Sequence, residues 1–298
     1  MKTRNLYSTS EKMYDITFKH THFDLIESTQ IYARGQLEEL QPNEWSLYTA
    51  QGQTGGIGQQ NKAWVSPYGL NIYATYGFLL NEKDIDKMFC IPQVSALPII
   101  ELLSKEGIDS NIKWINDVLI NKKKISGILV ESFSSPFKQQ SNGNSYTAVL
   151  IGIGINVNSE MEHLALVSQP TTSMKIETAR KFNIDNIIKS LSQLLIYNIN
   201  KLISYGFDIF KLQIEEKLER FDGKPVVLKE FNNSYKVGYI KTIGEKGELI
   251  LTNKTNDEVF INGRIARGED LKEALLNPEI ISQLTELSGL VITEDYSY

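Results

Sequence analysis

The chain has 298 residues, of which 41% are hydrophobic and 22% are charged, and its formal net charge is −5. These values are typical of a globular protein, and they exclude intrinsically disordered and fibrous proteins. A length near 300 residues favours one large domain with a smaller one, because single cores stop growing at roughly 250–300 residues.

The single cysteine, Cys90, excludes an internal disulfide and a multi-cysteine metal site. Only six of the 31 basic residues are arginine, and none lies between Arg34 and Arg180. We expect no nucleic-acid partner for a mildly acidic chain, because cationic contacts to phosphates supply most of that affinity. The chain shows no signal-peptide pattern and no long uninterrupted apolar stretch, so we expect a soluble cytoplasmic protein without membrane contacts.

Periodicity predicts a mixture of strands and helices. Alternating or β-branched residues predict strands at 14–26, 45–49, 70–78, 111–115, 118–120, 124–133 and 146–157. Helical spacing follows Ser28-Thr29 and recurs at 85–105, 184–204 and 210–218, with Pro92 and Pro98 disturbing the run at 85–105. This order predicts an α/β fold of the α+β type, with a mixed, largely antiparallel sheet and helices packed mainly on one face.

The sequence changes character after residue 220. Short β runs separated by turn-rich segments predict a small β-barrel over residues 221–268. Residues 269–298 return to helical spacing, which Pro278 interrupts. We therefore expect three parts: a main domain over residues 1–220, a barrel over 221–268 and a helical extension over 269–298.

Two segments in the first half could bind a polar or anionic ligand, and each has a structural explanation as well. Ser28 and Thr29 stand at a predicted helix start, where their hydroxyls either cap the helix or hold a polar group. The glycine-rich segment from Gln53 to Trp64 is either a flexible loop or a loop whose amides cradle an anion. It has the pattern of neither a Walker loop nor a dinucleotide-binding fingerprint.

Two further segments point to buried interactions. Lys124 starts the strand after a predicted turn, so a hairpin would bring it back beside Asp117. A half-buried Lys113 needs a carboxylate or an anionic ligand, and the segment therefore forms either a structural Lys–Asp pair or an anion site. Gly152 and Gly154 interrupt a strand that is otherwise apolar, which predicts close packing against its backbone, by a helix or by a ligand.

In this order, the segments resemble the biotin–protein ligases over roughly residues 18–268. The family has a Ser-Thr pair, a Gln before a Gly-rich loop and Trp, Lys-Trp-Pro-Asn-Asp, Lys-x-x-Gly-Ile-Leu-x-Glu, and Gly-x-Gly-Ile-Asn. The corresponding segments here are Ser28-Thr29, Gln53 to Trp64, Lys113 to Asp117, Lys124 to Glu131, and Gly152 to Asn156. Residues 221–268 resemble the family's SH3-like barrel, and residues 1–220 its catalytic ligase domain. With no winged helix before the motifs, the resemblance is to the ligase-only form rather than to the ligase that is also a repressor.

The resemblance implies a two-step reaction and a set of site residues. Biotin and MgATP give biotinyl-5′-AMP and pyrophosphate, and the acyl group then passes directly to a lysine of a biotin carboxyl carrier domain of acetyl-CoA carboxylase or a related carboxylase. The implied catalytic residues are Lys124, Asp117 and Lys113. The implied biotin-binding residues are Ser28, Thr29, Gln53, Gly56, Ile57 and Gly127. The implied ATP-binding residues are Gly58, Lys62, Trp64, Asn116 and Asn156, with Mg²⁺ held through the ATP phosphates. A homodimer paired through strands of the sheet is a further expectation.

This sequence departs from the family pattern in two places. Ile115 stands where the family has proline, which we interpret as a packing change. The family's Gly-Arg-Gly-Arg-x-Gly-Arg loop reads Gly56-Ile57-Gly58-Gln59-Gln60-Asn61-Lys62 here, so that Lys62 is its one cation. Two alternatives follow. One is a lipoate ligase or octanoyl transferase of the same superfamily, and the other is a non-catalytic biotin-binding protein, which the arginine-free loop suggests.

Overall fold

The structure, a computed structural model, describes residues 18–134, 145–253, 255–292 and 296–297. Its strands are β1 (Phe18–Ile26), β2 (Trp45–Gln53), β3 (Ile72–Asn81), β4 (Asn111–Lys113), β5 (Asp117–Ile120), β6 (Lys123–Ser134), β7 (Tyr146–Ile155), β8 (Val226–Lys229), β9 (Tyr235–Ile243), β10 (Leu249–Thr252), β11 (Asp257–Phe260) and β12 (Arg264–Ile265). Its α-helices are α1 (Thr29–Arg34), α2 (Ile91–Lys105), α3 (Met161–Leu164), α4 (Met174–Thr178), α5 (Ile184–Tyr205), α6 (Asp208–Glu216), α7 (Glu269–Ala274) and α8 (Pro278–Ser288). Residues 14–17 of the first predicted strand lie outside the described residues.

The described residues form two compact units, each made from separate segments of the chain. The first unit contains residues 18–88, 126–134, 145–166 and 172–192. The second contains residues 89–125, 167–171, 193–253, 255–292 and 296–297. The three parts predicted from the sequence, with boundaries after residues 220 and 268, stay a prediction.

The first unit is built on a mixed sheet with the strand order β1-β2-β3-β7-β6. Strands β1 and β2 are parallel, and the other pairs are antiparallel. Strand β3 is buried along nearly its whole length, as expected for a central strand rich in aromatic and β-branched residues. Helix α1 packs through Ala33 against Tyr48 and Leu150. This packing holds the short helix α1 against the sheet, directly after the end of β1.

The second unit combines helix α2, the β4–β5 hairpin and an antiparallel C-terminal sheet with the order β11-β10-β9-β8-β12. The turn between β9 and β10 carries Gly247, whose positive φ of 79° suits glycine. Its carbonyl accepts hydrogen bonds from the Trp114 indole at 3.0 Å and from the Gln93 amide at 2.7 Å. These two bonds attach both the hairpin turn and α2 to the C-terminal sheet.

The segment predicted as one helix at 85–105 has two parts. Glu82–Cys90 is a 3-10 helix, and α2 begins only at Ile91, because Pro92 fits the first turn of a helix. The whole segment Glu82–Lys105 is long and apolar enough to cross a membrane, with a mean hydropathy of 1.2 over 18 residues, but 61% of that window is buried, as in the core helix of a globular protein.

The fold class predicted from the sequence is confirmed, since the described residues contain a mixed sheet, helices and a second, antiparallel sheet near the C-terminus. Pro278 separates α7 from α8 and begins the latter, as its position in the helical spacing indicated. The strand predicted at 111–115 is shorter than expected, because Trp114 and Ile115 belong to the turn that follows β4.

Candidate active site

In the first unit, the N-terminus of α1 is capped by a side chain from the end of β2. Ser28 is the N-cap residue, but its hydroxyl makes no capping hydrogen bond. Instead, Gln53 Oε1 accepts a hydrogen bond of 2.8 Å from the backbone N–H of Thr29 and one of 3.3 Å from its hydroxyl. The parallel pairing of β1 and β2 places Ile26 opposite Gln53, which brings the helix start to this side chain. The structure therefore brings Thr29 and Gln53 together, with Ser28 and Thr29 almost completely buried.

The glycine-rich segment folds into a tight hairpin. Ile57 and Ala63 form an antiparallel bridge, and the Gly58 N–H donates a 2.7 Å hydrogen bond to the Lys62 carbonyl. The Gly58 amide is therefore engaged within the hairpin in this conformation, whereas the side chain of Lys62 is exposed.

Gly56 lies where the hairpin crosses the Gln53 side chain. A Cβ at this position would stand 2.6 Å from the Trp64 carbonyl oxygen, 2.7 Å from Ser66 Oγ and 2.8 Å from Gln53 Nε2. These distances are too short for any larger residue unless the backbone shifts. Gln53 Nε2 donates to Ser66 Oγ at 2.9 Å, and Ser66 in turn donates to the Trp64 carbonyl at 2.9 Å, so the hairpin fixes the orientation of the Gln53 amide.

The two glycines of β7 each accommodate a side chain that lies on the strand. A Cβ on Gly152 would stand 2.5 Å from Gln30 Oε1, and a Cβ on Gly154 would stand 2.4 Å from Trp64 Cε2. The predicted close packing against this backbone is confirmed, and the packing groups are the Gln30 amide and the Trp64 indole. The indole thus reaches from the glycine-rich hairpin onto the sheet.

Two further predicted residues flank Gly154. Gly127 pairs with Gly154 across the β6–β7 ladder. Asn156 is buried, and its side-chain Nδ2 donates a 3.0 Å hydrogen bond to the Thr172 carbonyl. One donor of the Asn156 amide therefore holds a backbone segment, and its predicted contact with adenine stays a prediction.

In the second unit, one buried carboxylate lies between two lysines. Asp117 Oδ2 accepts a 3.0 Å hydrogen bond from Lys113 Nζ, and Asp117 Oδ1 lies 2.6 Å from Lys124 Nζ. The three side chains are between 7% and 15% exposed. Lys113 and Asp117 are paired residues of β4 and β5, which brings their side chains into contact. Strand β6 starts after a short turn and brings Lys124 beside Asp117. The structure thus confirms that Lys124 returns beside Asp117.

The triad contains two basic groups and one acidic group. Burial alone would raise the pKa of Asp117, but Lys124 and Lys113 outweigh it and lower that pKa to about 2. Burial lowers the pKa of Lys113, and so do the nearby charges of Lys124 and Arg267, against the opposing effect of Asp117. Two lysines share one carboxylate, and a bound anion would add a second acidic group to the triad.

A backbone hydrogen bond and a buried turn also surround the triad. Lys124 N–H donates to the Pro170 carbonyl at 2.8 Å, which holds the start of β6. Asn116 is buried in the turn between Lys113 and Asp117. The peptide bond between Trp114 and Ile115 in the same turn is cis.

The sequence did not indicate a second polar cluster in the first unit. Glu131 on β6 accepts hydrogen bonds from both Arg34 and Gln30, which lie one turn apart on α1. Gln30 Oε1 accepts a 3.1 Å bond from Thr75 Oγ1, and Thr75 Oγ1 also lies 2.9 Å from Thr29 Oγ1. Two signals were available in the sequence. Glu131 ends a family motif, and Gln30 directly follows the Ser-Thr pair.

Comparison with known proteins agrees with this arrangement. Residues 22–156 match the sequence model of the biotin/lipoate A/B protein ligase family. This range includes both sheet glycines, the Gln53 hairpin and the buried triad.

The individual relatives narrow the match from the biotin/lipoate ligase family to biotin ligases. The bifunctional ligase/repressor BirA of Bacillus spizizenii is 28% identical over 241 residues, which cover 79% of this chain and 69% of that protein. A biotin–[acetyl-CoA-carboxylase] ligase of Paracoccus denitrificans is 25% identical, covering 78% of this chain and 94% of that protein. The solved structure of the Aquifex aeolicus biotin protein ligase in complex with biotin and ATP is 25% identical and superposes with a TM-score of 0.65, covering 83% of this chain and 97% of that one. These similarities confirm the resemblance to biotin–protein ligases.

Proposed function

We propose that this protein is a biotin–protein ligase, which activates biotin with ATP to biotinyl-5′-AMP and transfers the biotinyl group to a lysine of a biotin carboxyl carrier domain. The matched family domain and the relatives named as biotin ligases support this activity. The similarity to a ligase structure that holds biotin and ATP supports these two molecules as the substrates.

The observation that carries the proposal is the triad of Lys113, Asp117 and Lys124, in which the buried Lys113 and the partly exposed Lys124 share one carboxylate. Adenylation brings the carboxylate of biotin to the α-phosphate of ATP, so two anions must meet. A fixed cation lowers the repulsion between them and stabilises the negative charge that develops on the phosphoryl oxygens. Lys124 is the more accessible of the two lysines, and we assign it this role.

The head group of biotin is a cyclic urea, which needs hydrogen-bond donors and acceptors together. Thr29 and Gln53 offer both in one buried cluster, and Ser28 offers a hydroxyl that does not cap the helix. Gly56, Ile57 and Gly127 complete the proposed biotin contacts. The close fit of Gly56 against Gln53 supports a constrained loop next to this amide.

We assign ATP to five residues that match the family pattern. Trp64 offers an aromatic face for adenine, Lys62 a cation, and Gly58, Asn116 and Asn156 polar contacts. Mg²⁺ is proposed to arrive bound to the ATP phosphates.

Transfer needs no nucleophile from the enzyme, because the acceptor lysine attacks the acyl-adenylate directly and AMP leaves. Asp117, held ionised by its two lysines, can orient either the incoming amine or Lys113. The name of the Paracoccus relative points to acetyl-CoA carboxylase as the source of the carrier domain, and a cytoplasmic location fits such a partner.

Pyrophosphate release tests this function against its alternatives. A biotin ligase releases pyrophosphate from MgATP when biotin is added, but not when lipoate is added. Release with lipoate alone would identify a lipoate ligase. Tight biotin binding without pyrophosphate release would identify a non-catalytic biotin-binding protein, and both results would contradict the proposal.

A further inference from the structure

Helix α1 carries the proposed biotin-binding residues at its start, and it is only six residues long. Isolated helices shorter than about 12–15 residues are marginal in water, so the position of this helix depends on contacts with the rest of the unit. Its apolar contacts include Ala33 on Tyr48 and Leu150, and the Tyr32 ring edge-on to Phe23 and Tyr48. Two of its polar side chains, Gln30 and Arg34, converge on one residue outside the helix, Glu131.

Glu131 holds α1 at two points. Arg34 donates to both carboxylate oxygens, at 2.6 and 2.9 Å, in a bidentate pair. Gln30 Nε2 donates to Oε2 of the same carboxylate at 2.8 Å. Bidentate and charge-assisted hydrogen bonds are the strongest of their kind, and they fix direction as well as distance.

The carboxylate also sets the direction of the hydrogen bonds that lead from Glu131 to Thr29. An ionised carboxylate only accepts, so the Gln30 amide must turn its NH₂ group to Glu131 and its Oε1 towards Thr75. There the single proton of the Thr75 hydroxyl is shared between two acceptors, Gln30 Oε1 at 3.1 Å and the Thr29 hydroxyl at 2.9 Å. The same Oε1 lies against Gly152, where no Cβ would fit. Thr29 in turn donates to Gln53 through both its N–H and its hydroxyl.

We propose that Glu131, anchored by Arg34, is a positioning residue that holds the start of α1 in the arrangement that binds the ureido ring of biotin. This inference rests on the proposed function. It assigns no contact between Glu131 and the substrate. The effect reaches the substrate through Gln30, Thr75 and Thr29.

Calorimetric titration of the folded protein with biotin and, separately, with ATP tests the role. Glu131→Gln keeps the shape but removes the charge and allows the amide of residue 30 to turn. We expect the Kd for biotin to rise by roughly 10-fold or more while the Kd for ATP stays within about twofold. Arg34→Met leaves the Gln30–Glu131 bond in place, so it should weaken biotin binding in the same direction but less.

The matched control is Glu44→Gln, which makes the same chemical change in an exposed ion pair with Lys19 in the same unit. It should change neither Kd. If Glu131→Gln lowers the melting temperature but leaves the biotin Kd of the folded protein unchanged, Glu131 is only structural and the inference is wrong. Equal losses of affinity for biotin and for ATP would also overturn the inference. If the wild-type protein fails to bind biotin at all, the proposed function itself fails and this inference with it.

Discussion

The indole of Trp64 lies directly on the backbone of Gly154, so close that a Cβ on residue 154 would stand 2.4 to 2.7 Å from three atoms of the ring. This contact joins the glycine-rich hairpin to the central sheet. It makes the position of the aromatic ring depend on the absence of a side chain in β7.

Gly154→Ala should therefore displace the Trp64 ring. Because we assign this ring to adenine, the KM for ATP should rise by about 10-fold or more, with a smaller change in the KM for biotin. The matched control is Gly77→Ala in the buried strand β3, where the atoms nearest to the added Cβ would be the ends of the Leu40 and Leu150 side chains, at 3.1 and 3.2 Å. Steady-state pyrophosphate release measures both variants. An unchanged KM for ATP in folded Gly154→Ala would refute the assignment of Trp64.

Lys124→Ala should abolish adenylation and leave the fold intact. The substitution keeps the buried pair of Lys113 and Asp117 and removes the second basic group beside this carboxylate. Charge-assisted hydrogen bonds contribute roughly 1.5–3 kcal/mol, so the rate of pyrophosphate release should fall at least about 10–100-fold.

The control for this prediction is Lys123→Ala, which removes an exposed ammonium group one residue earlier in the same strand. It should leave the rate unchanged. If Lys124→Ala instead unfolds the protein, with the activity per folded molecule preserved, the lysine belongs to a structural ion pair.

Asp117 and its lysines show how much of the site could be predicted from the sequence. Lys113, Asp117 and Lys124 lie within 12 residues, and a hairpin is a local structure whose alternation and turn residues are visible in the sequence. The same holds for Gly152 and Gly154, because glycines in an apolar strand indicate a close approach.

Contacts between distant segments could not be predicted in this way. Glu131 meets Gln30 and Arg34 across 101 and 97 residues of sequence. No periodicity in one sequence specifies such a pairing, which depends on the order of strands in the sheet. The boundary at Ile91 was missed for a different reason, since a proline inside helical spacing can either break a helix or begin one.

His20 provides a test of stability against pH. Its Nε2 lies 2.7 Å from Thr49 Oγ1, and His22 Nδ1 lies 2.9 Å from the same oxygen. Burial, with the nearby His22, lowers the pKa of His20 to about 4, although Asp185 opposes this. Between about pH 6.5 and 4 the unfolded chain binds a proton that the folded protein does not. The free energy of unfolding should therefore fall as the pH is lowered through this range, by at most about 3 kcal/mol.

His20→Gln should flatten that part of the pH dependence, because glutamine keeps a polar side chain that does not titrate there. Urea unfolding at about pH 7.5, 6 and 5 measures the free energy of unfolding of both proteins. His163→Gln, which removes a histidine of α3 in the same unit, should retain the wild-type dependence. Parallel curves for wild type and His20→Gln would show that His20 does not cause the loss.

We expect retention of the adenylate to depend on the glycine-rich hairpin, in which the family's arginines are absent. Ile57 and Gln59 stand at the positions of the first two, and neither carries charge. The loss of one charge-assisted contact of roughly 1.5–3 kcal/mol would speed release of biotinyl-5′-AMP by about 10–100-fold. We expect rapid escape of the adenylate, unselective labelling of accessible lysines, and slower escape from Gln59→Arg.

The alternative source of charge in the hairpin is Lys62. If the wild type holds the adenylate tightly, Gln59→Arg has no effect, and Lys62→Ala releases it, then Lys62 has replaced the arginines. Release is measured by rapid filtration of the enzyme after one round of adenylation with labelled biotin.

The most direct test of the biotin ligase assignment is transfer of biotin to a purified biotin carboxyl carrier domain, followed by mass spectrometry of the intact domain. With biotin, ATP and Mg²⁺, the protein should add one biotinyl group to the acceptor lysine of the carrier, and omission of ATP should prevent it. A folded protein that binds both substrates and yet leaves the carrier domain unlabelled would contradict the assignment.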